Sequence, residues 1–558
     1  MDERRPQFAI KLLPSLTDMA FLMPMVFLFG KMAGVKSLLG DCDTGWHIRT
    51  GEWILAHHRV PMHDIFSFSM PNNAWYAWEW LSDILLAWLH SHGGLRTVVF
   101  FAMVLLSLTY ALLFRLVRRK SNAIIAVVVT MIAAAASSIH WLCRPHLFTL
   151  FFVVLFYGAL ENVRAGKTKL GRIPYLAILP AVTILWTNLH GGFFVGAVLI
   201  AAYGAGEVLK IALATDTEER SAAWIRGRRY LLSALACLAA SLVNPYTYHL
   251  HQHVIEYLHD PYQMQHIMEF FSISFYHPMA IFFEALLLAG ALAAVWHASK
   301  GQYIEAVLIV VWSHGALLAA RNIPIFTIIV APPVAAAVED WMGLVPSWNL
   351  AAWVRRAAEK FMGVARETTE TDMIGRWHLA SALGLFVFAA LLYAPNPPKS
   401  FRAEFDPKTF PAGAIDTLRQ DPAARIFAQD QWGDYLIYRL YPNTRVFIDG
   451  RSDFYGPDFG KKYLDVMAVN YAWEKTLGGF GIDTILLPTT APLAGALKES
   501  AHWHVVYDDG VSLVFRSARK TSGQTVSATG PGDGKGRDRE VTKTQARDQA
   551  ITEHKSKT

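Results

Sequence analysis

The chain is 558 residues long, 53% hydrophobic and 17% charged, with a mean hydropathy of +0.27. A soluble protein of this size would carry roughly a quarter charged residues, so composition excludes a simple soluble globule and places the apolar excess in lipid. The formal net charge of +6 does not point to nucleic acid, because the lysines and arginines lie in short loops between apolar runs and form no single patch.

At the N-terminus, Asp2-Glu3-Arg4-Arg5 precedes an apolar stretch without a small-residue cleavage site, which predicts an uncleaved first helix. A polar segment follows, Gly40-Asp41-Cys42-Asp43-Thr44-Gly45-Trp46-His47-Ile48-Arg49. Two carboxylates, a histidine and an arginine against a bilayer are costly unless solvated or paired, so such residues are usually functional when kept. The stretch Trp78 to His92 is too short to cross comfortably, and its tryptophans suit a helix lying in the headgroup region. Apolar runs such as Val98 to Leu113, Ala123 to Ile139 and Leu379 to Leu392 then bring the total to about eleven spans. Alternate loops are basic, among them the one with Arg115, Arg118, Arg119 and Lys120 and the one with Arg220, Arg226, Arg228 and Arg229. The loop from Asn244 to Pro278 on the other side has no lysine or arginine. By the positive-inside rule the N-terminus is expected in the cytoplasm and the acidic first loop outside, in a cytoplasmic (inner) membrane.

Pro395-Asn396-Pro397-Pro398 breaks the pattern. Residues 1–395 are expected to form the transmembrane part, with 37–95 as its first outer loop. Residues 396–516 read as a small extracytoplasmic α/β domain. Strands are expected at Arg425 to Ala428, Arg445 to Asp449 and Thr484 to Leu487, with a hairpin from His504 to Phe515 turning at Asp508-Asp509-Gly510. Residues 517–558, rich in Ser, Thr, Gly and Lys, read as a disordered tail. The three cysteines, Cys42, Cys143 and Cys237, are too scattered for a disulfide framework or a zinc site; buried thiols are expected, with a Cys42–Cys143 bridge conceivable.

Polar groups interrupt the apolar runs on one side: His140 with Arg144-Pro145-His146, Asn188 with His190, Asn244-Pro245, and Arg321-Asn322-Ile323-Pro324. Convergence of these groups with Asp41, Asp43 and His47 is what a site built between helices requires. Arg144 and Arg321, with Arg49 nearby, suit a phosphate through forked donors. Asp41 or Asp43 suits a general base, or hard-oxygen ligation of a divalent ion such as Mg or Mn. His47, His146 and His190 suit hydrogen bonds to a leaving phosphate or to the carboxylates. Plainer readings stand beside these: His140 as an interfacial residue, Asn244-Pro245 and Asn322 to Pro324 as helix ends, and the six histidines from His249 to His277 as a solvated loop.

The pattern Asp41-x-Asp43-x-x-Trp46-His47-x-Arg49, with Pro61, Asp64, Phe66, Ser67 and Trp78-Glu79-Trp80-Leu81, resembles the GT-C superfamily of integral-membrane glycosyltransferases. A closer likeness is to the catalytic subunit of oligosaccharyltransferase, through Gln431-Trp432-Gly433-Asp434-Tyr435 and Phe447-Ile448-Asp449-Gly450-Arg451. The resemblance implies a polyprenyl-phosphate-linked sugar as donor, inverting transfer to an extracytoplasmic acceptor hydroxyl or amide, and catalysis by Asp41 or Asp43. It also implies that Trp432, Asp434, Tyr435, Asp449 and Arg451 face the acceptor. The chain departs from that pattern with a single tryptophan at Trp432 and with Arg144-Pro145-His146 where the subunit has an acidic pair. A transporter or flippase of lipid-linked intermediates, and a non-catalytic envelope assembly protein, are the competing readings.

Overall fold

The computed structural model describes residues 10–518. In chain order its helical part comprises α1 (Ile10–Lys31), α2 (Asp43–His57), α3 (Trp80–Gly93), α4 (Leu95–Val117), α5 (Ala123–His140) and α6 (His146–Arg164). It continues with α7 (Tyr175–Leu189), α8 (Gly191–Leu213), α9 (Thr217–Ala240), α10 (Tyr248–His259), α11 (Ala280–Ser299), α12 (Tyr303–Leu318), α13 (Ala320–Ser347), α14 (Ala352–Asp372) and α15 (Leu379–Tyr393). Seven of these (α1, α4, α5, α6, α8, α11 and α13) are long and apolar enough to cross a membrane, and α7, α12 and α15 are shorter apolar helices. The 24-residue α9 carries its charges in its first half and is apolar in its second. The chain is therefore an integral membrane protein, with seven helices that meet the length and apolarity for crossing where about eleven spans were expected.

Helices α2 and α3 lie apart from this set and pack tightly on one another. Gly51 makes the close approach: a Cβ there would run into the Asp83 backbone of α3 and meet Ala87 Cβ at 2.7 Å. The Trp78 to His92 stretch is thus a helix held against protein, with Ser82 and Asp83 fully buried. The histidine-rich segment is likewise ordered, as α10. There His253 stacks on Tyr76 and pairs with Asp453 at 3.1 Å, so the helical half departs from the loop expectation, while His249, His259, His266 and His277 are solvent-exposed as expected.

Beyond α15 come β1 (Ile426–Ala428), α16 (Asp430–Leu440), α17 (Ser452–Met467), β2 (Thr484–Pro488), β3 (Trp503–Asp508) and β4 (Ser512–Ser517). The sheet order is β1-β2-β4-β3, parallel between β1 and β2 and antiparallel elsewhere. Phe427, Ile485, Leu487 and Phe515 of the sheet share a buried core with Phe459 and Tyr463 of α17. The β3–β4 hairpin turns where expected, with Gly510 at φ +81° and the Asp509 carboxylate accepting from Val511 and Ser512 N–H. Arg445 to Asp449 is not a full strand. Val446 alone forms bridges, to Ser67 and to Ile426, because it is shared between the first loop and the sheet. Ser517 still belongs to β4, while residues 519–558 of the expected tail lie outside the described residues. Cys42, Cys143 and Cys237 are free, buried thiols.

A buried ion triad locks the first loop to this C-terminal part. Arg451 pairs with Asp64 at 2.8 Å and with Asp449 at 2.7 Å, and all three side chains are shielded from solvent. Its guanidinium also lies 4.4 Å from the Trp75 ring centroid. Removing one member of such a set leaves a buried charge uncompensated, at a cost of about 3–5 kcal/mol. Arg451→Met should therefore lower the unfolding midpoint of the detergent-solubilised protein markedly. An unchanged midpoint would show that the triad holds nothing together.

Candidate functional site

Asp43 is the first residue of α2, where helix N-terminal N–H groups favour an anion. The helix is wedged between α3 and α16: Thr44 Oγ1 donates to Cys143 O at 2.8 Å, and a Cβ on Gly45 would meet Tyr438 Cβ at 2.7 Å. This wedging buries Asp43, His47 and Trp46 although their sequence is polar.

Three carboxylates surround one arginine. Arg144 Nη1 lies 2.9 Å from Asp41 Oδ2 and 2.7 Å from Glu269 Oε1, and its Nη2 lies 2.7 Å from Asp43 Oδ2. Burial, with the neighbouring Asp41 and Glu269, pushes the Asp43 carboxyl up to about 7 in spite of Arg144. Asp41 is raised as well, chiefly by burial. Burial also opposes ionisation of Glu269, but Arg144 and the other cations outweigh it and hold this group below the usual carboxylate range. No N–H or hydroxyl group among the described residues donates to the other oxygen of Asp43, Oδ1, or to Asp434 Oδ2; the two carboxyls face one another, and burial together with Asp43 holds Asp434 well above the usual carboxylate range. Both adjoin Gly450, where an added Cβ would meet Asp434 Oδ2 at 2.6 Å and Asp43 Oδ1 at 2.9 Å. Only glycine leaves the two carboxyls this room.

Behind this cluster runs a chain of acids and imidazoles. His47 Nδ1 is 2.6 Å from Asp83 Oδ1, and its Nε2 is 3.4 Å from Glu79 Oε2. Glu79 Oε1 is 3.2 Å from His190 Nε2. His190 Nδ1 accepts from Gly192 N–H at 3.0 Å, which assigns the ring proton to Nε2. Burial raises Glu79 to about 8 and lowers His47 well below its ordinary value, so the pair sits mostly uncharged at neutral pH.

Most of these groups line a cavity of about 780 Å³, whose lining does not include Asp41, Asp434 or Glu269. Asp43, His47, Glu79, Arg144, His146, His190 and Arg321 form its polar wall, and Val195, Val198, Leu258, Val311 and Leu318 its apolar wall. Arg321 is the cation without a carboxylate partner there: among the described residues it makes no ion pair, only a 3.2 Å hydrogen bond to Tyr257 Oη and a cation–π contact with Phe270 at 4.7 Å.

Several expected site residues lie elsewhere. Arg49 turns from the cavity and donates to Tyr438 O at 2.9 Å through Nε, with Glu52 on its other side at 2.6 Å. Trp432 and Tyr435 are buried in the C-terminal core, Trp432 donating to Thr409 O, because the amphipathic α16 turns its aromatic face inward. Asp449 sits in the triad with Arg451, and of the five residues expected to face an acceptor only Arg451 lines the cavity. Tyr455 is buried too and donates to Asp449. Asp83 and Glu269 escaped the sequence reading, and Glu79 entered it only as part of a motif. For Glu269 the available signal was an acid in a loop without lysine or arginine.

No family model matches the sequence, and no curated protein matches it. Among solved structures, the archaeal oligosaccharyltransferase AglB from Archaeoglobus fulgidus, in complex with an inhibitory peptide and a dolichol-phosphate, superposes with a TM-score of 0.50 and 10% identity. That match covers 93% of this chain and 75% of that one. An Archaeoglobus fulgidus oligosaccharyltransferase tethered with an acceptor peptide containing the NVT sequon gives a TM-score of 0.50 at 12% identity over the same shares. ArnT from Cupriavidus metallidurans overlays more loosely, with a TM-score of 0.43 and 16% identity over 88% of this chain and 94% of that one. The likeness to the oligosaccharyltransferases shows the fold alone: an array of membrane helices followed by a small C-terminal α/β part.

Glu79 yields a stability test. Its carboxyl titrates near 4.5 when free and near 8 when folded, so its favourable contribution is complete below pH 4.5 and is lost as pH rises through 8. Glu79→Gln should remove this dependence, so that the variant gains on the parent protein between pH 5 and pH 8 in thermal unfolding. Parallel curves for the two proteins would count against the assignment.

Proposed function

We propose that the chain is a glycosyltransferase that moves a sugar or glycan, with inversion, from a polyprenyl-phosphate or -pyrophosphate donor to an acceptor hydroxyl or amide. The reaction face is extracytoplasmic, with the N-terminus in the cytoplasm of a cell whose inner membrane holds the protein. The observation that carries this reading is Arg321: a half-buried guanidinium without a carboxylate partner among the described residues, in the lining of a cavity that has both polar and apolar residues. An anion with a hydrocarbon tail meets both demands, since the phosphate takes the free charge and the lipid lies along Val195, Val198, Val311 and Leu318. The fold shared with an oligosaccharyltransferase that was crystallised with an acceptor peptide supports the same reading.

In this scheme Asp43 is the base. Its Oδ2 is held by Arg144, which leaves Oδ1 to take a proton from the acceptor as the glycosidic carbon is attacked from the face opposite the phosphate. Arg321 stabilises charge as it develops on the departing phosphate, while the ring N–H groups of His146 and His190 are already given to His140 O and Glu79. Asp41 shares Arg144 with Asp43 and keeps the cluster anionic. The acceptor approaches past Gly450 and Arg451 on the C-terminal side of the cavity.

Asp43→Asn should leave the fold intact and reduce glycan transfer about 10²–10⁴-fold, the usual worth of a positioned base. In the parent protein, kcat/KM should rise with pH through about 7 as Asp43 ionises, and Arg144→Gln should move that limb to higher pH by removing the charge that favours the carboxylate. Arg321→Met should raise KM for the lipid donor and lower kcat together. Undiminished transfer in Asp43→Asn would falsify the assignment of the base.

A further inference from the structure

The acidic first loop suits a divalent cation in composition, but the donor set around it is already filled. Asp41 Oδ2, Asp43 Oδ2 and Glu269 Oε1 all point at the guanidinium of Arg144, at 2.9, 2.7 and 2.7 Å. An ion using the same oxygens at metal–oxygen distances would have to occupy the guanidinium's place and would meet its charge at close range. Among the described residues, no group of three or more His, Cys, Asp or Glu side chains is disposed to hold a metal ion.

We propose that the guanidinium of Arg144 is the resident cation of this site and stands where a divalent metal ion would otherwise sit. Its backbone is fixed on both sides to hold it there. Cys143 N–H donates to Leu38 O at 2.7 Å, and Cys143 O accepts from Thr44 Oγ1 at 2.8 Å, which ties the residue before Arg144 to the first loop. Pro145 follows and leads straight into α6. The planar fork then engages oxygens from two separate loops, which a lysine ammonium with its single point of charge would match less well. A single positive charge also leaves the cluster with excess negative charge and leaves Asp43 Oδ1, which faces the Asp434 carboxyl, free of any cation, whereas an ion bound through the same carboxylates would take up that basicity. Arg144 is on this account a positioning residue: it acts on the reacting atoms through Asp43. Its effect on sugar transfer rests on the reading of function above, but its effect on cation binding does not.

The test is Mn²⁺ binding to the purified full-length protein, read by electron paramagnetic resonance, with glycan transfer measured in parallel. The parent protein is expected to bind no Mn²⁺ at micromolar concentrations and to keep its transfer rate after treatment with EDTA. Arg144→Ala is expected to gain a tight Mn²⁺ site that disappears again in the Arg144→Ala, Asp43→Asn double variant, and Arg144→Lys is expected to gain none. Arg144→Gln serves in the same way if the alanine variant does not fold. A Mn²⁺ ion bound by the parent protein and lost in Asp43→Asn would overturn the proposal. So would a folded Arg144→Ala that acquires no site. A chain that bound cations as expected yet transferred no sugar would sink the proposed function and leave this inference standing.

Discussion

Charge removed from water must be paired, and here the pairing is done across segments far apart in sequence. Arg144, from the turn between α5 and α6, gathers Asp41 and Asp43 from the first loop and Glu269 from the loop ahead of α11. Removing Arg144 would leave three carboxylates without compensation, which is expensive in a low-dielectric setting. The position of α2, and with it the polar wall of the cavity, follows from that requirement. The second triad, Asp64, Asp449 and Arg451, does the same for the C-terminal part, so the sheet is seated on the first loop through charge as well as through the Val446 bridges.

This arrangement explains why the acids lining the cavity titrate away from their usual range. Carboxyls at the start of α2 are raised by burial and by one another, while a single guanidinium keeps them from being protonated outright. The imidazoles of His47 and His190 bracket Glu79 and hold it in place with little net charge. Arg321 is left over: among the described residues it makes no ion pair and contacts only Tyr257 and Phe270.

The sequence was informative wherever a physical rule has a short range. Apolar runs gave the membrane helices, the Asp508-Asp509-Gly510 turn gave the hairpin, and acids beside a membrane helix gave Asp41 and Asp43. It misled where local pattern and tertiary demand compete. The aromatics of Trp432, Tyr435 and Tyr455 look like a binding surface, but an amphipathic helix presents such residues to its own core as readily. Arg49 reads as a phosphate ligand but finds the Tyr438 carbonyl first. Arg144 reads as a phosphate clamp and is spent on carboxylates of its own chain. Asp83 and Glu269 carried no local signal, since their importance comes only from what they face.

The most direct measurement of the central claim is where a polyprenyl phosphate lies when bound. A photoreactive polyprenyl phosphate, added to the protein in a bilayer, should label residues along the apolar wall, such as Val198, Val311 and Leu318, and free inorganic phosphate should not displace it fully. Labelling confined to lipid-facing residues such as Leu235, with none inside the cavity, would contradict the account.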